Sequence, residues 1–359
     1  MTKFLLAGGG TGGHVNPMLA LAQSLKALDH EVVALGTKEG LESRLVPERG
    51  FQLEIIERLP FPRKPSLYAL SFPFKFLRAT RKVVRLIKDG GFDAVVGFGG
   101  YASAPAYLAA YLTKKPLVIH EANALAGIAN RLGAKLTRHI AVAFPNSDLK
   151  GGLLTGMPIR PEITDLTNSY DKGQARVEMG LDPLMPTLLV TGGSLGAKRI
   201  NDAVIAAREA LNAAGIQVLH IVGERAGLPE IAGPGYVRLN YCSRMDAAIA
   251  SANLAISRAG SSTVSEFAAC GLPAVYVPYP IGNGEQRFNA LTVVEAGGGK
   301  LVLDKDFDAD YIRAEVIPLI SHTATLTAMS AAAQSVGIPD ATERLRDQVL
   351  AAVNTNSRD

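Results

Sequence analysis

Apolar positions along this chain fall into short continuous runs, each followed by a longer stretch in which they recur at helical spacing. In the first half the runs are Lys3 to Ala7, Glu31 to Leu35, Gln52 to Ile56, Ala94 to Gly97, Pro116 to His120 and His139 to Val142. Helical periodicity fills the intervals at Val15 to Leu28 and at Leu41 to Glu48. It returns in an apolar and basic segment that follows the proline-rich connection Leu59 to Ser66 and ends near Lys88. Short, nearly all-apolar strands, each followed by a helix, predict a parallel sheet covered on both faces. Gly156 to Pro161 and the polar run Thr164 to Gly173 read as a linker, and the pattern then restarts. Thr187 to Thr191, Gln217 to Val222, Val237 to Asn240, Leu254 to Ser257, Ala274 to Pro278 and Lys300 to Leu303 read as strands. A helix covers Ala197 to Ala213, and Pro339 to Val353 forms a final amphipathic helix. The predicted fold class is α/β, with two doubly wound, Rossmann-like domains facing each other across a cleft. Their expected extents are 1–160 and 161–338, with a terminal helix in 339–359 packing back toward the first domain.

Each half opens with strand, glycine turn and helix. In the first, Gly8, Gly10 and Gly13 fit the G-x-G-x-x-G spacing of a dinucleotide site. Such a site needs an acidic residue at the end of the second strand for the ribose, and that strand ends Ala34-Leu-Gly-Thr37. A histidine, His14, stands at the far edge of the loop, so a nicotinamide or flavin site is disfavoured. In the second half, Ser257 to Gly260 leaves a strand and enters a helix through Ser261, Ser262 and Thr263. Their hydroxyls and N–H groups at a positive helix end suit a diphosphate. Glu266 stands where it can accept both hydroxyls of a ribose. The plainer reading of Thr263-x-x-Glu266 is a capping box, and Ser194, in the turn Gly192 to Gly196, has the same two readings. Gln286 and Asn289 share a helical face and suit sugar hydroxyls, or else lie on a solvated surface.

Composition narrows the class. The 359 residues are 48% apolar and 19% charged, with 36 glycines, as in an α/β enzyme and unlike a disordered chain. Cys242 and Cys270 form no disulfide framework, and a reduced setting is expected. No secretory signal is read at the N-terminus. The uncharged segment Ala94 to Thr113 is broken by glycines and a proline, so strand, turn and helix explain it better than a membrane span. Net charge is +4, yet Arg58 to Lys88 holds nine basic residues and no acidic one.

Taken together, the motifs resemble the MurG-type transferases, which add N-acetylglucosamine to the lipid-linked muramyl-pentapeptide precursor of peptidoglycan. The matching stretches are GGGTGGHVNPMLALA (Gly8 to Ala22), GGYASAPAYLAA (Gly99 to Ala110), HEANALAGIANR (His120 to Arg131), GMPIR (Gly156 to Arg160), GGSLGAKRIN (Gly192 to Asn201), the run Ser257 to Pro280, EQRFNA (Glu285 to Ala290) and IPDATER (Ile338 to Arg344). The resemblance implies GT-B architecture, a second domain for UDP-N-acetylglucosamine and a first domain for the lipid acceptor. It carries donor contacts over to Thr11, Gly12, Gly13, Asn123, Arg160, Ser194, Ser261, Ser262, Thr263, Val264, Ser265, Glu266 and Gln286. On the same basis Arg258 faces the diphosphate and Cys242 lends a backbone contact near the uracil. Three positions depart from the family pattern: Leu195, Ala122 and Glu285, where relatives commonly carry glutamine.

The implied reaction is an inverting displacement, which needs a base and positive charge at the departing UDP. His14 is the expected base, since an ordinary imidazole titrates near ~6.5; Glu121 is the weaker alternative. Nothing in the sequence reads as a metal site of the kind that would hold the diphosphate, and neither metal nor cofactor is expected. Leu67, Leu70, Phe72, Phe74, Phe76 and Leu77 stand beside Lys75, Arg78, Arg81, Lys82, Arg85 and Lys88. That set suits an anionic inner-leaflet surface, giving a peripheral protein on the cytoplasmic side of the cell membrane. Nucleic acid is not expected as a partner, because the aromatic residues lack a stacking pattern. The rival readings are another GT-B enzyme using a UDP-sugar (a glycolipid synthase or a 2-epimerase) and a non-catalytic membrane-bound sugar-nucleotide sensor.

Overall fold

The first strand shows why both faces of a sheet are covered. In β1 (Lys3–Ala7) successive side chains point to opposite sides. Phe4 and Leu6 enter one core with Met18 and Leu21, while Leu5 and Ala7 enter another with Val83, Ile87 and Tyr107. Burying each large apolar side chain contributes about 1.5–3 kcal/mol, so the alternation alone fixes which helix lies on which face. The computed structural model describes residues 1–62, 64–166, 171–193, 196–281 and 283–356. It divides into two units, Met1–Arg160 with Asp340–Asp359, and Pro161–Pro339.

In the first unit β1 is joined by β2 (Glu31–Thr37), β3 (Gln52–Ile56), β4 (Ala94–Gly97), β5 (Leu117–Glu121), β6 (His139–Val142) and β7 (Leu153–Leu154). The strand order is β3-β2-β1-β4-β5-β6-β7, parallel throughout. The helices are α1 (Gly12–Lys26), α2 (Glu42–Glu48), α3 (Leu67–Asp89), α4 (Ser103–Leu112) and α5 (Ile128–Gly133). The terminal helix Ala341–Asn356 packs on α1, and Leu345, Val349 and Ala352 complete the core on that side of the sheet. Ala7 lies level with both Leu35 and Gly97, so the turns after β1 and β4 leave the sheet side by side. The order reverses between these two strands, and such a switch point at the carboxyl edge is where α/β sheets bind ligands.

The second unit repeats this plan. β8 (Thr187–Thr191), β9 (Gln217–Ile221), β10 (Ile231–Gly233), β11 (Tyr236–Leu239), β12 (Leu254–Ser257), β13 (Ala274–Tyr276) and β14 (Gly299–Leu301) lie in the order β10-β11-β9-β8-β12-β13-β14. All pairs are parallel except β10 with β11. Thr191 is level with Ser257, which again sets two turns side by side at a switch point, after β8 and β12.

The α/β, two-Rossmann reading therefore holds, with local differences. Helix α1 starts at Gly12, three residues before the expected Val15, because apolar periodicity does not mark a glycine-built first turn. Strands β7 and β10 were not anticipated; they are two and three residues long, too short for alternation to register. The apolar run Ala94 to Thr113 resolves into β4, a glycine turn and α4. Among the described residues no single helix is long and apolar enough to cross a membrane. Part of the expected linker, 167–170, falls outside the described residues.

Candidate active site

At the first switch point the chain leaves β1 through Gly8, Gly9 and Gly10, the last at φ +90°. The Gly8 N–H donates to Leu35 O at 3.1 Å, and the Gly10 N–H donates to Oε2 of Glu42 at 2.8 Å. The other carboxylate oxygen accepts both the N–H and the hydroxyl of Thr37, each at 2.8 Å. Glu42 is wholly buried and was not singled out from the sequence. The flanking Gly36 and Gly40 were its only signal. Gly100, at φ +86°, comes so close to the first turn that a β-carbon on it would lie 2.4 Å from Gly9 O. The turns after β1 and β4 thus pack backbone against backbone, which only glycine permits.

His14 is the third residue of α1. Its Nδ1 lies 3.0 Å from Gly9 O and 3.3 Å from the Thr11 hydroxyl. A carbonyl oxygen only accepts, so the bond to Gly9 places the proton on Nδ1 and leaves the Nε2 lone pair free to take one. Nε2 lies over Gly99, where a β-carbon would stand 3.1 Å from it. Thr11 is the N-cap residue of α1, but its side chain caps nothing. Gly12 and Gly13 follow it as the first two helical residues.

The neighbouring imidazole differs. His120, at the end of β5, is fully buried, its Nε2 2.9 Å from Gly156 O and its Nδ1 without a partner. Burial pushes it down to about 4, so it stays neutral. Glu121, the alternative base, is committed elsewhere. It accepts the Asn123 N–H at 2.9 Å, the Gly127 N–H at 3.0 Å and Asn130 Nδ2 at 2.9 Å, and is 2% exposed. These bonds shape the loop that carries Asn123, which is half-buried, as is Arg160.

At the second switch point β12 leads through Gly260 into the helix Ser261–Ala269. Gly260 is the N-cap and no side chain caps the helix, so the Thr263–Glu266 capping box does not form. Orphan N–H groups and the helix dipole are therefore presented by Ser261, Ser262 and Thr263. The Ser257 and Ser262 hydroxyls are buried without a partner. Ser261 and Glu266 are buried and Ser265 is half-buried. Val264 bonds its N–H to Gly260 O at 3.0 Å and sets its side chain wholly inside the unit, so it serves to close the turn. Arg258 binds Asp304 at 2.5 Å and the carbonyls of Val277 and Pro278 at 3.1 and 3.2 Å, which ties the end of β12 to the segment after β13. Gln286 Oε1 accepts the Tyr279 N–H at 2.9 Å. Asn289, read from sequence as its partner on a sugar-facing surface, is fully buried and donates to Ala259 O at 3.3 Å, bracing the turn instead. Cys242 is buried just beyond β11. Ser194 and Leu195 lie outside the described residues.

Helix α3 has two faces. Ser66 caps it by accepting the Ala69 N–H at 3.1 Å. Phe72 and Phe76 turn inward, Phe72 packing on Phe61, Tyr68 and Phe76 at centroid distances of 5.4, 6.0 and 5.9 Å. Leu67, Leu70, Phe74 and Leu77 remain exposed, at 86%, 74%, 77% and 41%. Their spacing puts them on one face, which Arg81, Arg85 and Lys88 continue. Lys75 and Arg78 pair with Glu57 at 3.3 and 2.7 Å, holding its carboxyl below the usual range, and Lys82 donates to Ile55 O at 2.7 Å.

Two mostly parallel sheets, each reversing its strand order beside its first strand and each with its polar loops at that switch-point edge, define a two-domain α/β enzyme of the GT-B glycosyltransferase class. Residues 4–142 match the glycosyltransferase family 28 N-terminal domain and residues 187–345 its C-terminal domain. The chain belongs to glycosyltransferase family 28. It is 51% identical, over 98% of its length and 97% of the relative's, to a protein of Clavibacter sepedonicus named UDP-N-acetylglucosamine--N-acetylmuramyl-(pentapeptide) pyrophosphoryl-undecaprenol N-acetylglucosamine transferase. A protein of the same name from Mycolicibacterium smegmatis is 50% identical, over 96% of this chain and 93% of that one. Among solved structures, Acinetobacter baumannii MurG matches with a TM-score of 0.79 at 28% identity, over 98% of this chain and 100% of that one. The resemblance read from the motifs is borne out.

Proposed function

We propose that this protein moves N-acetylglucosamine from UDP-N-acetylglucosamine to the C4 hydroxyl of the muramyl residue in a polyprenyl-diphosphate-linked muramyl-pentapeptide, with inversion at the anomeric carbon. The observation that carries the reading is the match, over nearly the whole chain, to relatives bearing that activity in their names. The local geometry supplies a mechanism. The C4 oxygen attacks the anomeric carbon as its proton passes to His14 Nε2, and the bond from that carbon to the UDP oxygen breaks. The tautomer imposed by Gly9 O leaves Nε2 ready for this role. The diphosphate carries the released charge, which the uncapped N–H groups of Ser261 to Thr263 and the helix dipole stabilise. Glu266 takes the ribose hydroxyls, the amide nitrogen of Gln286 takes the sugar, and Thr11 to Gly13, Asn123, Arg160, Ser194 and Cys242 complete the donor contacts. Arg258 acts by holding the serine turn in place. No metal or cofactor enters this scheme.

The exposed apolar stripe of α3 and the cations that continue it support a peripheral seat on an anionic membrane surface, on the side where the nucleotide sugar is available. The decisive experiment incubates the full chain with radiolabelled UDP-N-acetylglucosamine and a lipid-linked muramyl-peptide acceptor. Label on the lipid together with stoichiometric UDP supports the reading. UDP release without labelled lipid, or an epimerised nucleotide sugar as product, overturns it.

A further inference from the structure

We propose that Glu42 is a positioning residue for the His14 imidazole, acting through the peptide bond between Gly9 and Gly10. Its catalytic consequence rests on the reading of His14 as the base. The carboxylate accepts the N–H of this peptide at 2.8 Å, and the carbonyl of the same peptide faces His14 Nδ1 at 3.0 Å. No peptide bond among the described residues is cis, so the two groups sit on opposite edges of one rigid plane. A carboxylate on the N–H edge polarises the peptide and makes Gly9 O a stronger acceptor. That fixes the ring and its tautomer, and it favours the imidazolium formed when Nε2 takes a proton. Second partners of this kind tune imidazole ligands in metal sites in the same manner.

The carboxylate is built in. β-Carbons on Gly9, Gly36 and Gly40 would fall 2.3, 2.4 and 2.0 Å from Glu42 atoms, so three positions are kept bare to admit it. A glutamate at a helix start can serve only the helix dipole. Here, however, its oxygens bond to Thr37 and Gly10, outside its own helix. Being wholly buried, it meets no substrate itself. The other titratable groups around the relay are His120, which feels His14 and stays neutral down to about 4, and Arg58, which meets Tyr101 and also feels Glu39 and Glu42.

The test uses full-length Glu42→Gln, which keeps the shape but faces Gly10 N–H with a donor, and Gly40→Ala, which pushes Oε2 aside. Both are expected to lower kcat about 10–100-fold while the donor KM moves less than about twofold. Removing the carboxylate lowers the imidazole's proton affinity, so the acidic limb of kcat against pH shifts down. The His14 ring, assigned by NMR from its absence in His14→Ala, shows the same downward displacement in Glu42→Gln. Adding Glu42→Gln to His14→Ala costs little more, because the two act as one unit. An unmoved His14 titration overturns the coupling, as does an equal loss of kcat with and without His14. If His14→Ala keeps its turnover while the titration still moves, the base assignment fails and the coupling stands.

Discussion

The two glycine-turned helix starts, Gly12 in one unit and Ser261 in the other, look alike in sequence and differ in what already occupies them. Each follows a central strand at a switch point, and neither carries a side-chain cap. In the first, the protein has supplied its own anion: the Gly10 N–H is taken by the Glu42 carboxylate. In the second, no carboxylate caps the start, and the Ser262 hydroxyl is buried without a partner. Glycine spacing specifies a shape that lets backbone come close. Whether that shape receives a phosphate depends on whether its N–H groups are free, and a residue thirty-two positions away decides this. The turn before the first start has its Gly10 N–H answered internally and presents an imidazole; the second is left open to a ligand's negative charge.

The strongest way to break this comparison is to remove the imidazole. His14→Ala should lower turnover by about 10²–10⁴-fold and leave UDP binding by calorimetry unchanged; weakened UDP binding would return the nucleotide to the first start. A second contrast lies in two buried histidines, one in each sheet. His120 is pushed down to about 4, and His220 to about 3, by burial. Unfolded, both take protons near ~6.5. As pH falls below that value the unfolded chain gains protons that the native chain refuses, so stability drops. The loss for His120 is complete below about 4 and for His220 below about 3. It amounts to about 3 kcal/mol or more for each. Urea midpoints measured from pH 7 to pH 4 should fall accordingly, and His220→Gln should remove its share of the slope. A flat profile would mean that both histidines charge in place.

Much of this was legible in the residues, and the failures share a cause. Apolar runs and glycines located every strand but β7 and β10, the two glycine turns and His14, because these are local signals. Capping, by contrast, is a contest for the same N–H groups, and the sequence could not tell that Gly260 would win over Thr263. Asn289 looked like a surface amide because helical spacing gives a face without saying which face is covered; the Ala259 carbonyl settles it. Glu42 was missed since its partners, Thr37 and Gly10, belong to other segments. Phe72 and Phe76, grouped with the membrane set, turned inward for the same reason.

The donor side gives the next smaller effect. Glu266→Ala should raise the KM for UDP-N-acetylglucosamine about tenfold, the loss expected of a charged hydrogen-bonding group, with the acidic limb of the pH profile unmoved. Together with His14→Ala this forms a double dissociation: one variant loses the proton acceptor and keeps the nucleotide, the other the reverse. A Glu266 variant with altered pH dependence would show that the two helix starts do not divide the work as argued.

The smallest effect separates the two faces of α3. Phe74, 77% exposed, buries little of its ring in the unit, so Phe74→Ser should leave the unfolding midpoint unchanged and weaken binding to anionic vesicles. Phe72→Ser removes a ring packed on three others and should lower the midpoint first. Arg81 makes no ion pair among the described residues, whereas Arg78 is held by Glu57. Neutralising Arg81 should therefore cost vesicle binding about fivefold, or ~1 kcal/mol, and the same change at Arg78 less, because its charge is already partly answered. The loss at Arg81 should fade as salt is raised, since a surface potential acts only within a Debye length. The loss at Phe74 should persist, because burial in the interface is not screened. If both losses follow salt alike, the stripe is electrostatic only and its leucines and phenylalanine do not enter the membrane.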